Sequence, residues 1–199
     1  GENPVVEDCI TFLHSTSSYN IDWYDLWNKI TESGLGIATV VDAYGSHAYR
    51  FLLEFDDNTG ELSVSAESLF EEPAQAIAIN DFGSVGGYYP YPTGLTAFAV
   101  DFDGNPMPLD GLPPSRDKGV AVEYRNWEVN AINNLEIKVG TVIGIETRYG
   151  NWWGQYPAKW AADGGVTFLH DDWDACLDIN DAGWLGGMSK NRSPAIELP

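Results

Sequence analysis

Ile79-Asn80-Asp81-Phe82-Gly83-Ser84-Val85-Gly86-Gly87 is one of three copies of a single phrase. The others are Ile132-Asn133-Asn134-Leu135-Glu136-Ile137-Lys138-Val139-Gly140 and Ile179-Asn180-Asp181-Ala182-Gly183-Trp184-Leu185-Gly186-Gly187. Successive copies start 53 and then 47 residues apart. A period of about 50 residues marks a repeat architecture. Asn and Asp tolerate left-handed backbone and bond their own main chain, and Gly accepts positive φ. The phrase therefore reads as an apolar strand, a tight turn and a Gly-rich strand, whose paired glycines permit twist or close backbone approach.

The same order recurs around each copy. After Val85–Tyr89 comes an Ala-aromatic strand, Thr96-Ala97-Phe98-Ala99-Val100, then an Asp103-Gly104 turn and an apolar ending at Leu109. The next unit continues with Pro157-Ala158-Lys159-Trp160, Asp163-Gly164 and Phe168. The last stops at Pro194-Ala195-Ile196-Glu197-Leu198 and calls for a strand from elsewhere, either Val5–His14 or a neighbouring molecule. Before residue 70 lies a degenerate unit, with Ile37–Val41 as its Gly-rich strand counterpart and no Ile-Asn phrase.

Short strands punctuated by Gly, Pro, Asn and Asp predict an all-β fold. Four strands per unit of roughly 45 residues predict a propeller-like repeat of short antiparallel strands. The expected organisation is one repeat domain over 1–199: an N-terminal strand and helix segment over 1–34, then three to four units from about residue 35. The one helical pattern is Asp22–Ser33, where Trp23, Leu26, Trp27 and Ile30 follow i, i+3, i+4, i+7 spacing and Gly34 follows as a stop.

Hydrophobic residues make up 44% of the 199, enough to bury a core. No window holds the about 18 apolar residues of a membrane helix, so membrane insertion is not expected. No basic n-region and apolar h-region open the chain, which reads as a mature secreted chain or one that never had a leader. A net charge of −20 repels nucleic acid and anionic membrane. It suits solubility in a salty or extracellular medium, or Ca²⁺ binding. Cys9 and Cys176 fit no zinc spacing. Paired as a disulfide, they would close a long loop and stabilise by about 4–5 kcal/mol in the chain-entropy model; two buried thiols are the alternative.

The recurring elements resemble the HAF family of extracellular repeats. That family alternates an Ile-Asn-x-x-Gly-x-Val-Val-Gly segment with an Ala-Phe-x-Trp-x-x-Gly segment. The first element matches best at Ile79–Gly87 and Ile179–Gly187, the second at His47-Ala48-Tyr49, Thr96-Ala97-Phe98 and Pro157-Ala158-Lys159-Trp160. The likeness covers roughly residues 35–199. Glu136 departs from it at a Gly position. The resemblance implies a secreted or cell-surface, propeller-like protein and no settled activity.

Candidate chemistry lies outside the phrase. His170-Asp171-Asp172-Trp173-Asp174 and Asp101-Phe102-Asp103-Gly104-Asn105 are oxygen-rich, as a Ca²⁺ site requires, and Asp56-Asp57-Asn58 is a looser third. The candidate ligands are Asp101, Asp103, Asn105, Asp171, Asp172 and Asp174; none follows the EF-hand pattern, and acidic hairpin turns are the plainer reading. No other cofactor is expected. With 30 Asp plus Glu, a facing carboxylate pair for glycoside hydrolysis arises readily by chance. His14, His47 and His170 are scattered, and no nucleophile elbow, zincin helix, P-loop or dinucleotide fingerprint occurs; no catalytic residue is assigned.

Aromatics are in excess, with 8 Trp, 10 Tyr and 8 Phe, and several fall in loop-like places. Tyr88, Tyr89, Tyr91, Trp152, Trp153 and Tyr156 are the candidate binding residues. They fit core cover, a protein interface or a sugar platform. The expected function is secreted and non-catalytic: self-assembly or partner binding through aromatic loops. A carbohydrate-binding module is the alternative, and a secreted glycoside hydrolase the second.

Overall fold

A computed structural model describes residues 29–42, 45–91, 94–111, 115–117, 120–169, 173–189 and 194–197. All regular structure among them is strand, so the all-β expectation holds. The chain forms two compact units, Gly1–Ala76 and Ile77–Pro199.

The first unit carries an antiparallel meander of β1 (Lys29–Ile30), β2 (Leu35–Asp42), β3 (Gly45–Asp56) and β4 (Glu61–Ser68). Ala38, Val40 and Phe51 form its core, flanked by Tyr49, Leu53, Val64 and Ala66. Buried Arg50 is held by Glu67, its cross-strand partner on β4. The helix expected over Asp22–Ser33 does not form in its described part. Lys29 and Ile30 pair with Ile37 and Gly36, and Thr31–Gly34 makes a turn. Thr, Ser and Gly bond or bend the local backbone in ways that compete with a helix. Residues 22–28 and the strand-prone Val5–His14 lie outside the described residues.

Three sheets follow. The first combines β5 (Gln75–Ile79), β6 (Val85–Tyr91) and β7 (Gly94–Val100); the division between the units falls inside β5. The second has β8 (Ser115–Asp117), β9 (Val120–Ile132), β10 (Lys138–Glu146), β11 (Asn151–Trp160) and β12 (Val166–Phe168), and the third has β13 (Trp173–Ile179), β14 (Leu185–Ser189) and β15 (Pro194–Glu197). Counting the meander as the first repeat, these are the second, third and fourth.

Within the second unit, apolar side chains join each sheet to the next. Ala78, Ala99 and Met107 of the second repeat pack with Val129 and Ile132 of the third. Ala131, Val139 and Leu169 of the third pack with Trp173, Cys176, Ile179 and Leu185 of the fourth. Period-2 alternation leaves each sheet with a front face toward the next repeat and a back face away from it. Gly86 marks a front face closely: a Cβ there would meet Val129 Cγ1 at 2.5 Å.

The N-terminal repeat holds a copy of the phrase that sequence inspection missed. Thr31 N–H donates to Leu35 O at 2.7 Å, and Gly34 N–H donates to Thr31 O at 3.1 Å with Gly34 at φ 84°. At the second copy Asn80 bonds Ser84 O at 3.1 Å, and Gly83 bonds Asn80 O at 3.0 Å with φ 79°. Ile30-Thr31-Glu32-Ser33-Gly34 is therefore the first phrase, with Thr in the place of Asn and a spacing of 49 residues to the second.

Candidate functional site

The phrase turns form a hydrogen-bonded ladder through the second unit. Each Asn Oδ1 holds its own turn: Asn80 accepts from Phe82 and Ser84 N–H, Asn133 from Leu135 and Ile137, and Asn180 from Trp184, all at 2.9–3.1 Å. The Nδ2 groups of Asn80 and Asn133 reach forward. Asn80 Nδ2 donates to Asn133 O at 3.0 Å, and Asn133 Nδ2 donates to Asn180 O at 3.1 Å. The following residues make a second rail. Asp81 N–H donates to Asn134 Oδ1 at 2.9 Å, and Asn134 N–H donates to Asp181 Oδ1 at 2.7 Å. Asn134 Nδ2 bridges the carboxylates of Asp81 (2.7 Å) and Asp181 (2.9 Å). Turn-building, expected of these residues, is thus half their work; the other half is joining repeats.

The candidate binding residues lie on strands, not loops, because aromatic and β-branched side chains suit a pleated, half-buried surface. Tyr88, Tyr89 and Tyr91 are on β6, and Trp152, Trp153 and Tyr156 on β11. Alternation puts Tyr88 on the front face of β6 and Tyr89 and Tyr91 on the back. There Tyr89 meets Phe98 with ring centroids 5.1 Å apart and Tyr91 at 5.9 Å. On the back face of the third repeat, Tyr156 meets Tyr124 at 5.7 Å and Phe168 at 5.2 Å, and Tyr124 meets Phe168 at 5.4 Å. The structure therefore assembles two ring sets on equivalent faces, with Tyr91 and Phe168 exposed. Tyr124 and Phe168 join the candidates; their signal was position within the repeat. The Tyr156 ring also lies over Gly144, where a Cβ would meet it at 3.1 Å, so the set covers sheet as well as presenting surface. The backbone of Trp152 pairs with Ile145; the side chains of Trp152 and Trp153 lie outside the described residues.

The acidic candidates divide similarly. Asp101 Oδ1 accepts from Asn105 N–H at 2.8 Å, and Asp101 Oδ2 accepts from Asn105 Nδ2 at 2.9 Å, closing a turn with Gly104 at φ 82°. Asp103 is exposed on that turn. Asp56 Oδ1 accepts from Asn58 N–H at 2.8 Å, and that bond holds the Asp56 carboxyl below its ordinary value. Asp171 and Asp172 lie outside the described residues, as does the side chain of Asp174. Among the described residues no three His, Cys, Asp or Glu side chains gather as a metal site. Cys176 is fully buried, with Sγ 3.8 Å from Gly186 O; its expected partner Cys9 lies outside the described residues.

Besides Arg50, a second buried cation was not foreseen. Lys138 is fully buried on the back face of the third repeat, where the second and fourth repeats carry Val85 and Leu185. Its Nζ donates to Pro108 O at 3.3 Å and Ala162 O at 3.5 Å. Burial pushes its pKa down, partly opposed by Glu136 and Asp163. The 108–110 segment is also fixed by Trp160 Nε1 donating to Asp110 O at 3.2 Å and Asp110 N–H donating to Gly164 O at 3.0 Å. Lys138 thus locks the tail of one repeat onto the turn of the next.

No family model, curated protein or solved structure matches the chain.

Proposed function

We propose that this protein is a secreted, non-catalytic repeat scaffold that assembles and binds a partner at the cell exterior through its aromatic faces. The observation that carries the binding role is the pair of ring sets, Tyr89/Tyr91/Phe98 and Tyr124/Tyr156/Phe168, on the same face of successive repeats. Exposed aromatic rings suit protein anchors. The resemblance to HAF-type repeats supports the extracellular location and a propeller-like arrangement of the sheets. The Asn and Asp side chains of the ladder support a scaffold role, because their bonds run to turns and neighbouring repeats.

The test is binding of the full chain to surface proteins and polysaccharides of its source. Replacing Tyr91, Trp152 and Trp153 together with Ala should weaken binding at least ~10-fold, about 1.4 kcal/mol, with the melting temperature little changed. Unchanged binding would reject the aromatic-face reading. Carbohydrate binding is the second reading, favoured by the flat exposed rings of Tyr91 and Phe168. An array of acidic and neutral polysaccharides decides it, and uniform failure removes it.

A further inference from the structure

Three of the repeats finish on a strand laid along the outer edge of the strand before it. In the first repeat this is β4 on β3, and Leu69 N–H then donates to Ala48 O at 2.9 Å. In the second, Pro106 bridges Val100 of β7, and Met107 N–H donates to Ala99 O at 2.8 Å. In the third, β12 lies on β11: Phe168 pairs with Ala158, and Leu169 N–H donates to Pro157 O at 2.9 Å. Leu109 and Leu169 go on to pack against the following repeat.

The fourth repeat has no such strand among the described residues. Its β15 begins Pro194-Ala195, as β11 contains Pro157-Ala158, and the two stand in one register. Met188 pairs with Pro194 and Gly187 with Ala195, as Thr141 pairs with Pro157 and Gly140 with Ala158. Ile196 therefore holds the place of Lys159, with its N–H and C=O along the open edge. The front face beside that edge is apolar. A bulge between Cys176 and Asp178 turns Leu177 away from the buried Cys176 and Ile179, and alternation along β14 and β15 adds Met188 and Ile196. Leu177 is 46% exposed, Met188 38% and Ile196 71%.

The sequence holds one more copy of the strand that is missing. Val166-Thr167-Phe168-Leu169-His170, which contains β12, recurs as Ile10-Thr11-Phe12-Leu13-His14, with Ile for Val the single difference. Chain order agrees. Leu69, Leu109 and Leu169 each precede the next phrase, at Ile79, Ile132 and Ile179, and Leu13 precedes the first phrase, at Ile30. We propose that Ile10–Leu13 is the fourth strand of the fourth repeat, seated antiparallel on the outer edge of β15 as β12 is on β11. Thr11 then pairs with Ile196 and Phe12 with Ala195, and Leu13 N–H donates to Pro194 O. Leu13 extends the front face in a row with Pro194 and Met188. Strand addition of this kind draws its affinity from main-chain bonds and its selectivity from alternate side chains. It also separates the cysteines. Cys9 falls beyond Glu197, three strands across from Cys176 and so at least ~14 Å away, whereas a disulfide needs Cα atoms within about 7 Å. The assignment is independent of partner binding through the aromatic faces.

The experiment combines two measurements on the full-length chain. In Phe12→Cys/Ala195→Cys the two thiols face each other in a pair without direct hydrogen bonds, with Cα atoms about 4.5 Å apart. Mild oxidation and peptide mapping should find a disulfide between positions 12 and 195. Thr11→Cys/Ala195→Cys is one residue out of register, on the opposite face, and should not form its bond. The bond supports the proposal whether it appears in the monomer or in a covalent dimer, and the two cases tell which copy supplies the strand. The second measurement is hydrogen exchange at the Ile196 amide. It should be protected in the wild type and in Leu13→Met, and Leu13→Asp should speed it at least ~10-fold. A freely exchanging wild-type amide overturns the assignment. So does protection that Leu13→Asp leaves unchanged, which would mean that a different segment covers the edge. Failure of the in-register bond, equal bonding in both registers, or a native Cys9–Cys176 disulfide overturns it as well. The Tyr91/Trp152/Trp153 variant should keep the Ile196 protection, so loss of partner binding and loss of the added strand read out separately.

Discussion

The third and fourth repeats use the same phrase in opposite settings. In the third, Asn133 is buried and reaches forward to Asn180 O. In the fourth, Asn180 makes the same turn but stands exposed. Lys138 lies where Leu185 lies, and Glu136 where Gly183 lies. The turn follows from the local residues, whereas the job of each side chain follows from having a neighbour. Identical residue types should therefore respond differently to substitution, by amounts that measure the neighbour.

The sharpest contrast is Asn133→Asp against Asn180→Asp. The first removes the donor to Asn180 O and buries a carboxylate beside that carbonyl, which should destabilise by about 3 kcal/mol. The second keeps its turn and should stay within about 0.5 kcal/mol in the monomer. Urea unfolding checks both, and equal effects would break the comparison. Next comes a front-face glycine. Gly86→Ala drives a methyl group into Val129 and should cost about 2 kcal/mol. Gly186→Ala meets only Asp178 Cβ, at 3.8 Å, and should be close to neutral on the same assay. A large loss at Gly186 would mean that the fourth repeat's front face is covered.

Lys138→Leu installs the fourth repeat's solution in the third and should stabilise by about 1 kcal/mol at neutral pH. Because its folded pKa is lowered, the unfolded chain binds more protons between that value and 10.5. Wild-type stability should then rise with pH through that window, and the difference from Lys138→Leu should shrink. Unfolding measured across alkaline pH tests the sign. The smallest effect belongs to Glu136→Gly. Glu136 is the one non-glycine with positive φ among the described residues, at 59°. Relief of that left-handed strain, set against the greater chain entropy of glycine, should leave a gain of about 0.5 kcal/mol, visible as a small rise in Tm. Glycine already occupies the matching position, Gly183, at φ 83°.

Much of the fold was legible in the sequence because it is written in turns. Asn, Asp and Gly at fixed offsets carry their own conformational reasons, so the recurring turns and the all-β class followed from them, whereas the expected four strands per unit became sheets of four, three, five and three. Thr31 escaped notice because Thr forms the same backbone turn without the letter that marks it. The helix over Asp22–Ser33 was misread at its described end, where strand pairing of Lys29 and Ile30 outweighs apolar spacing. The aromatic candidates were found by composition, but strand alternation is what separates Tyr88 from Tyr89 and Tyr91. Lys138 gave no local sign, since a lone lysine in a strand reads as exposed.

The sequence by itself determined where the chain turns and how often, because turn geometry depends on a few adjacent residues and their hydrogen bonds. Only the tertiary structure decided that Asn80 and Asn133 tie repeat to repeat, that Lys138 is buried, and that Leu177, Met188 and Ile196, exposed to different degrees, lie on one face of the fourth repeat. Those facts depend on registers and bulges between strands and on the sheets they bring together, which no single stretch of the chain contains.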